Sequence, residues 1–296
     1  MQTVSSAYLS NFIETSVSLG APADDLYALV PGGRAAFRQP DARFPAEMTA
    51  RVLDRAAELT GIDAIGLRVG MQFRPATFLD VGYALAAAST IREALEINIR
   101  YQPLTQEVAR TRLQIVGREA QISLDPAIPD AEAMRRVTEA ILAGYASIGR
   151  WLLWDQERPV ASVQFRHARP CAETCHAYAA VFGAEVSFGA ASDRLAFDAQ
   201  LVSRPVPNSN PPLVQLLTGR LNARLASYEA GSSLRMLVIT VLHRQIREGK
   251  PSLDDTAKLL GMSGRTLRRK LLAEGLSYTD LLATARKEAA EVYMHE

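Results

Sequence analysis

Residues 251–278, PSLDDTAKLLGMSGRTLRRKLLAEGLSY, constrain the fold most, because they hold start and stop signals for two short helices. Ser252 suits a helix N-cap, and Asp255 three residues later completes a capping box. Gly261 ends that helix, because glycine enters the left-handed conformation without steric cost. Ser263 caps a second helix after a very short turn. The segment therefore predicts a helix-turn-helix.

Apolar and basic residues fall on opposite sides of the second predicted helix. Leu267 and Leu271 are one turn apart and should face the first helix, which leaves the basic side chains to solvent or a partner. Arginine can make paired hydrogen bonds to guanine in the major groove, whereas lysine and hydroxyl groups suit phosphates. An ordinary helical hairpin with a solvated charged face is the alternative. The predicted DNA-binding residues are Ser263, Arg265, Thr266, Arg268, Arg269 and Lys270.

The same segment resembles the first helix-turn-helix of AraC/XylS-type transcription regulators. The resemblance implies a recognition helix from Gly264 to Glu274 in the major groove of double-stranded DNA. Gly264 itself departs from the pattern, since many of these regulators carry proline there, and glycine opens a helix less well. The positions that match are Ala257, Leu260, Gly261, Met262, Ser263, Arg265, Leu267, Arg269, Leu271, Gly275 and Tyr278.

Charge is distributed unevenly along the chain of 296 residues, whose overall net charge of +1 does not by itself suggest a nucleic-acid partner. From Ser232 to Glu296 there are 11 basic and 8 acidic residues, which leaves 22 basic and 24 acidic residues before Ser232. The basic excess therefore coincides with the predicted helix-turn-helix. The hydrophobic fraction of 48% and the charged fraction of 22% are ordinary for a globular protein.

Targeting signals and metal-binding patterns are weak in this sequence. No basic residue precedes Arg34, and no apolar run approaches the roughly 20 residues that cross a bilayer, so we expect a cytoplasmic protein without membrane contact. Cys171 and Cys175, followed by His176, could share a helix face. We expect buried reduced thiols there rather than a metal or redox site, and no cofactor.

Hydrophobic periodicity before residue 230 indicates helices interrupted by short strands. Residues 108–124 alternate around Gly117 and predict a β-hairpin, and residues 130–154 predict one long helix. Further short strands are expected near residues 162–165, 185–188 and 195–197. The predicted fold is an α+β N-terminal domain, mostly helical with small antiparallel β pieces, followed by an all-α helix-turn-helix region. Ala230-Gly231-Ser232 is the candidate linker, which gives domains 1–229 and 230–296.

The N-terminal region carries a second resemblance. The stretches ELTGIDAIGLRVG (58–70), RPATFLDVGYALAAASTIREALEINIRYQPL (74–104) and FGAEVSFGAASDRLAFDAQLVSRPVP (182–207) resemble the arabinose-binding-like sensor domain that precedes some AraC-type DNA-binding domains. The resemblance implies an effector-sensing and dimerisation domain in a ligand-responsive regulator, whose partners are DNA, a small-molecule effector, a second copy and RNA polymerase. It does not identify the effector.

Arginine could pair with an effector carboxylate and aromatic rings could stack on the ligand. The candidate effector-binding residues are Arg68, Arg74, Tyr83, Arg92 and Tyr101. The alternative is that these arginines cap helices or pair with local acids, and that the aromatic residues belong to the core.

The C-terminal end departs from the pattern of the family, in which two helix-turn-helix units are joined by a long helix. Thr279 to Met294 predicts that joining helix, and the sequence ends at Glu296, where the second unit would begin. We therefore expect weakened DNA binding and an uncovered apolar stripe formed by Leu281, Leu282, Ala285, Ala289 and Val292. The alternative function is a sensor or dimerisation protein with impaired DNA binding. An enzyme is not expected, because neither a Ser-His-Asp constellation nor a glycine-rich phosphate loop is found.

Overall fold

A computed structural model of the protein describes residues 2–39, 41–154, 160–247, 249 and 251–295, with the side chains of 231–233, 247 and 288–295 excepted. The chain divides into two compact units, Met1–Leu221 and Asn222–Glu296. Helices of the first unit are α1 (Ser6–Ser18), α2 (Ala23–Tyr27), α3 (Met48–Thr60), α4 (Ile65–Met71), α5 (Leu79–Ala86), α6 (Ile91–Thr105), α7 (Arg135–Leu153) and α8 (Ala172–Phe182). Its strands are β1 (Thr3–Ser5), β2 (Arg43–Pro45), β3 (Ala109–Val116), β4 (Glu119–Pro126), β5 (Val160–Gln164), β6 (Glu185–Ser187) and β7 (Asp193–Asp198).

The main sheet of the first unit has the strand order β3-β4-β7-β5-β6. Strands β3 and β4 form the predicted hairpin, with Ile115 opposite Ala120 and with Gly117 at a φ of +61° in the turn. The pairings of β4 with β7 and of β5 with β7 are antiparallel, whereas β5 and β6 are parallel. The predicted α+β fold, mostly helical with small β pieces, is confirmed.

The long helix of the first unit begins later than the sequence predicts. Helix α7 starts at Arg135, because the Asp130 carboxylate accepts hydrogen bonds from the backbone N–H groups of Glu132 and Ala133 and turns the chain. It ends where Trp154 adopts a left-handed φ of 52°. Residues 130–134 therefore belong to a turn and not to the helix.

Two glycines bring α4 into close contact with α7. A Cβ atom placed at Gly66 would lie 2.2 Å from the carbonyl oxygen of Arg136. At Gly70 it would lie 2.2 Å from the carbonyl oxygen of Ala140. One face of α4 thus packs backbone against backbone, and glycine is required there by this close approach and not by an unusual φ.

The predicted linker at residues 230–232 is helical. Helix α9 runs from Pro211 to Arg247 and includes these residues. A glycine inside a helix costs about 1 kcal/mol relative to alanine, which helix-forming neighbours on both sides can offset. Helices α10 (Leu253–Leu259), α11 (Gly264–Ala273) and α12 (Tyr278–His295) follow in the second unit.

Cys171 and Cys175 differ from their predicted environment of buried thiols. Cys171 is exposed at the N-cap of α8, and Cys175 is half-buried one turn later. The prediction failed because Pro170 and Cys171 precede the helix rather than lie on its packed face. Within the described ranges, no group of three or more His, Cys, Asp and Glu side chains is placed to hold a metal ion. Likewise, the described part of the chain contains no helix with the length and apolar character that a membrane span requires.

Candidate functional site

The helix-turn-helix forms through the local signals predicted from the sequence. The Ser252 hydroxyl oxygen accepts a hydrogen bond from the backbone N–H of Asp255 at 3.1 Å and caps α10. Gly261 adopts a φ of +70° in the turn, where the backbone N–H of Met262 donates to the carbonyl oxygen of Ala257 at 2.9 Å. The Ser263 hydroxyl oxygen then accepts from the backbone N–H of Thr266 at 3.1 Å and caps α11. Both helices therefore begin where their caps place them.

A small core fixes α11 in the second unit. Leu267 and Leu271 are 0% and 1% exposed and pack in one cluster with Ala257 of α10. The same cluster includes apolar residues near the end of α9 and the start of α12: Leu234, Val238, Ile239, Leu242, Leu281 and Ala285. Burial of one side of α11 leaves its other side outward.

The predicted uncovered stripe on α12 is wrong for its first turns. Leu281 and Ala285 are buried, and Leu282 packs against the same cluster. They share this cluster with residues 234–242 of α9 and with Leu267 and Leu271 of α11, so the stripe is covered within the second unit. The side chains of Ala289 and Val292 lie outside the described residues.

The outward side of α11 is basic and available to a partner. Arg265, Arg268, Arg269 and Lys270 are exposed, and no carboxylate of the described residues lies within ion-pairing distance of the three arginines. Ser263 is exposed, but its oxygen already serves as the helix cap. Thr266 is half-buried, and its hydroxyl lies 2.8 Å from that of Ser263. The six predicted DNA-binding residues thus extend from the N-cap of α11 to its last turn, and five of them are exposed.

The side chain of Asp254 lies next to Gly264, the departure from the family pattern. A Cβ atom at this position would lie 2.0 Å from Asp254 Oδ1 and 3.6 Å from Leu253 Cδ2. A larger residue here would therefore require the exposed Asp254 side chain, in the first turn of α10, to rotate away. Helix α11 still begins at Gly264, because the Ser263 cap is intact.

A cavity of about 110 Å³ lies in the first unit. This volume is much larger than the roughly 10–15 Å³ that one water molecule requires. Helices α6 and α7 form two of its walls, and β4 and β7 contribute Ile122, Leu195 and Phe197. The walls are mainly aliphatic and aromatic, which is the usual character of a small-molecule site.

A chain of neutral hydrogen bonds crosses one wall of this cavity. Asn98 Nδ2 donates to the Tyr145 hydroxyl at 2.7 Å, and that hydroxyl donates to Thr111 Oγ1 at 2.9 Å. The amide of Gln102 also contacts Thr111, donating to its hydroxyl and accepting from its backbone N–H, both at 2.9 Å. Burial raises the pKa of Tyr145 to about 12, so its hydroxyl keeps its proton at neutral pH. Asn98 and Tyr145 are therefore fixed, uncharged groups at the cavity surface.

The five predicted effector-binding residues lie outside the lining of this cavity. Arg68 is exposed on α4, and Tyr83 is 50% exposed on α5. Arg74 donates to the carbonyl oxygens of Met71 and Phe73 and to the Ser147 hydroxyl, so it holds the local backbone, as the alternative interpretation proposed.

The other two predicted effector residues lie on α6. Tyr101 is buried, with the Arg100 guanidinium 5.5 Å from its ring centre. Arg92 lines an open groove on the outer side of this helix, together with Arg100, Arg110 and Arg112. Asn98 is not among the residues predicted from the sequence. It lies seven positions after Ile91 on the apolar stripe of α6, and a polar residue in such a stripe is a sequence signal for a buried polar contact.

A buried charged cluster lies where α7 meets α4 and α8. The side chain of Glu139 is 0% exposed, accepts from Arg135 Nε at 2.9 Å, and also accepts from the Tyr178 hydroxyl. Arg135 further pairs with Asp63 at 2.6 Å. Burial raises the pKa of Glu139 to about 7, and the opposing hydrogen bonds and charges offset only part of this effect. The cluster is therefore sensitive to pH near neutrality.

Replacing Glu139 by glutamine should change how stability depends on pH. A carboxyl group with a raised pKa in the folded state stabilises the fold below its usual value of 4.5, and this contribution is lost as the pH rises through about 7. Between pH 5 and pH 8 the unfolding free energy of the parent should fall by about 2–3 kcal/mol relative to Glu139→Gln, from about 1.4 kcal/mol for each pKa unit. Urea denaturation of both proteins at the two pH values measures this difference. If the unfolding free energies of parent and variant differ by the same amount at pH 5 and at pH 8, the raised pKa of Glu139 is contradicted.

Similarity to known proteins decides the family. Residues 20–206 match the family described as the arabinose-binding domain of AraC transcription regulator, N-term. The chain belongs to this family of transcription regulators. An ornithine utilization regulator of Pseudomonas aeruginosa is 27% identical over 81% of this chain and 69% of its own length. An uncharacterized HTH-type transcriptional regulator of Mycobacterium bovis is 28% identical to this AraC-type regulator, over 94% of this chain and 81% of its own length.

A solved structure shares the fold of this AraC-type regulator. The transcriptional regulator CdpR from Pseudomonas aeruginosa aligns with a TM-score of 0.50 over 84% of this chain and 80% of its own. Sequence identity is 20%, so this likeness concerns the fold alone. The family match rests separately on residues 20–206.

Proposed function

We propose that this AraC-type regulator binds double-stranded DNA through α11 and that a small molecule in its N-terminal region regulates that binding. The region to residue 229 would sense the effector and form a homodimer, and residues 230–296 would contact an operator. From that position the regulator would act on RNA polymerase. The names of its relatives and the family match support a role in transcription.

The exposed basic side of α11 is the observation that carries the DNA-binding proposal. Arg265, Arg268 and Arg269 project from a helix whose other side is held by Leu267 and Leu271. A recognition helix held in this way can enter the major groove, where arginine reads guanine O6 and N7. Lys270 and the N-terminal end of α11 suit the flanking phosphates.

Replacing these arginines one at a time by alanine should weaken specific DNA binding. An arginine that reads a base should cost about 1–3 kcal/mol, or roughly 5- to 150-fold in affinity, and should relax sequence preference at its base pair. An arginine that contacts phosphate should weaken all sequences equally and lower the slope of log affinity against log salt by about 1. Fluorescence anisotropy at two salt concentrations, with an operator selected from a random-sequence library, distinguishes these two outcomes.

Arg55→Ala is the control for charge, because Arg55 is a partly exposed arginine of α3 in the first unit, paired with Glu58, and its removal changes the net charge equally. The Arg55→Ala variant should bind the operator with the same affinity as the parent. The proposal is contradicted when the parent binds a selected sequence specifically and all three α11 variants bind it equally well. Failure of the parent to select any sequence would favour a sensor or dimerisation protein.

A further inference from the structure

We propose that the cavity between α6 and α7 binds an uncharged, largely hydrocarbon small molecule that carries one hydrogen-bonding group. That group would contact Asn98 beside the Tyr145 hydroxyl. The inference rests on the proposed function, because it names the class of effector that the N-terminal region senses. It concerns the ligand class and is independent of the DNA sequence that the regulator binds.

The absence of charge in the cavity lining carries the first part of the inference. Every side chain that the structure places in this lining is apolar or neutral, and no Arg, Lys, His, Asp or Glu is among them. Burial also raises the pKa of Tyr8 and of Tyr145, which keeps both phenols protonated. A charged ligand would lose its hydration without gaining an ionic partner, which is strongly unfavourable. A ligand carboxylate or ammonium group is therefore strongly disfavoured among these side chains.

The apolar walls carry the second part. Phe73, Phe78 and Phe197 provide aromatic surface, and most of the remaining lining is aliphatic. Hydrocarbon surface gains free energy when it leaves water for such walls, whereas a sugar would leave most of its hydroxyl groups without partners. The cavity therefore favours a hydrocarbon skeleton over a polyhydroxylated one.

The position of the polar group follows from which amides are already occupied. Gln102 pairs at both ends with Thr111, and Gln106 pairs at both ends with the backbone of Ala109. Asn98 donates to Tyr145 through Nδ2, and its Oδ1 accepts from no described residue. A ligand hydroxyl or N–H could donate to this oxygen, so Asn98 is the recognition residue.

The positions of the three arginines predicted to bind the effector also favour an uncharged ligand. Arg68, Arg74 and Arg92 do not line the cavity, so they cannot neutralise a ligand held there. One relative is named an ornithine utilization regulator, but free ornithine carries charged ammonium and carboxylate groups at neutral pH. This cavity offers those groups no partner.

A pair of small aromatic ligands that differ by one charged group tests the ligand class. Benzyl alcohol is neutral, has one O–H donor and is of a size suited to a cavity of about 110 Å³. Benzylamine carries an ammonium group on the same skeleton at neutral pH. In calorimetric titrations of the full chain, we expect saturable binding of benzyl alcohol and binding at least 10-fold weaker for benzylamine. Equal or tighter binding of benzylamine in the cavity, or displacement of benzyl alcohol by ornithine, would overturn the inference.

Gly149→Leu locates the bound benzyl alcohol. Gly149 lines the cavity on α7, and a Cβ atom there meets no atom within 4 Å, so leucine can enter the free space without a clash. Benzyl alcohol should bind at least 10-fold more weakly to this variant. Gly219→Leu is the matched control, because Gly219 is an exposed helical glycine on α9 with the same open surroundings. Unchanged affinity for benzyl alcohol in folded Gly149→Leu would overturn the assignment to this cavity.

Asn98→Leu tests the polar contact. Benzyl alcohol should bind the parent about 10-fold more tightly than toluene does, and the two ligands should bind Asn98→Leu with equal affinity. A preference for benzyl alcohol that survives in the variant would overturn the role of Asn98. Operator binding with and without benzyl alcohol tests the regulatory role separately, because a ligand that fills the cavity without changing DNA affinity contradicts only the proposed function.

Discussion

Gly70→Ala is expected to lower the unfolding free energy of the N-terminal unit by about 2–3 kcal/mol or more. The added Cβ would lie 2.2 Å from the carbonyl oxygen of Ala140 and 2.8 Å from the Cβ of Ala143. These are backbone and first side-chain atoms of α7, so α4 and α7 must move apart to accept the methyl group. Overpacking of this kind costs more than the roughly 1 kcal/mol that alanine gains over glycine in a helix. Gly66→Ala should behave similarly, because its Cβ would lie 2.2 Å from the Arg136 carbonyl oxygen.

Gly149→Ala on α7 is the control for this prediction. A Cβ atom at Gly149 meets no atom within 4 Å, so this substitution should stabilise the same unit by up to about 1 kcal/mol. Both tryptophans of the chain, Trp151 and Trp154, lie in this unit, and urea denaturation followed by tryptophan fluorescence therefore reports on it directly. Equal midpoints for Gly70→Ala and Gly149→Ala would show that the approach of α4 to α7 is not as close as described.

Leu271→Ala should unfold or strongly destabilise the helix-turn-helix. Leu271 is 1% exposed in the cluster with Leu267, Ala257 and Leu281. Truncation of a buried leucine to alanine costs about 2–5 kcal/mol. That loss is large compared with the total stability of a unit of this size, and it removes the support that holds the basic side of α11 outward. Amide hydrogen exchange over residues 251–287 should show lost protection in this variant.

Leu272→Ala makes the same chemical change at the next position. Leu272 is 76% exposed, so its truncation should change stability by no more than about 0.5 kcal/mol. Exchange rates over residues 251–287 should then match those of the parent. If both variants lose protection from amide exchange to a similar extent, the side of α11 that carries Leu271 is not more important for stability than the side that carries Leu272.

Local signals determined the helix-turn-helix and the hairpin. Ser252 and Ser263 cap their helices through hydrogen bonds that span three residues, and Gly117 and Gly261 adopt the positive φ that their turns need. Each of these interactions involves neighbours in the chain, so its pattern can be read from a few letters. The outward direction of Arg265, Arg268 and Arg269 follows from the same short period, because Leu267 and Leu271 fix the opposite side.

Only the tertiary structure decided the features that depend on distant residues. Gly66 and Gly70 are required by the carbonyl oxygens of α7, and those oxygens are about 70 residues away in the chain. Residues 230–232 remain helical within α9 although Gly231 suggested a break, and the first turns of α12 are covered by residues 234–242.

The lining of the cavity likewise depends on residues that are distant in the chain. The arginine and tyrosine residues predicted to contact the effector do not line it, whereas Asn98 and Tyr145 do. These two side chains are 47 positions apart and meet through a 2.7 Å hydrogen bond. A pocket is the space left between packed elements, so its lining depends on how those elements come together and not on the local pattern of any one of them.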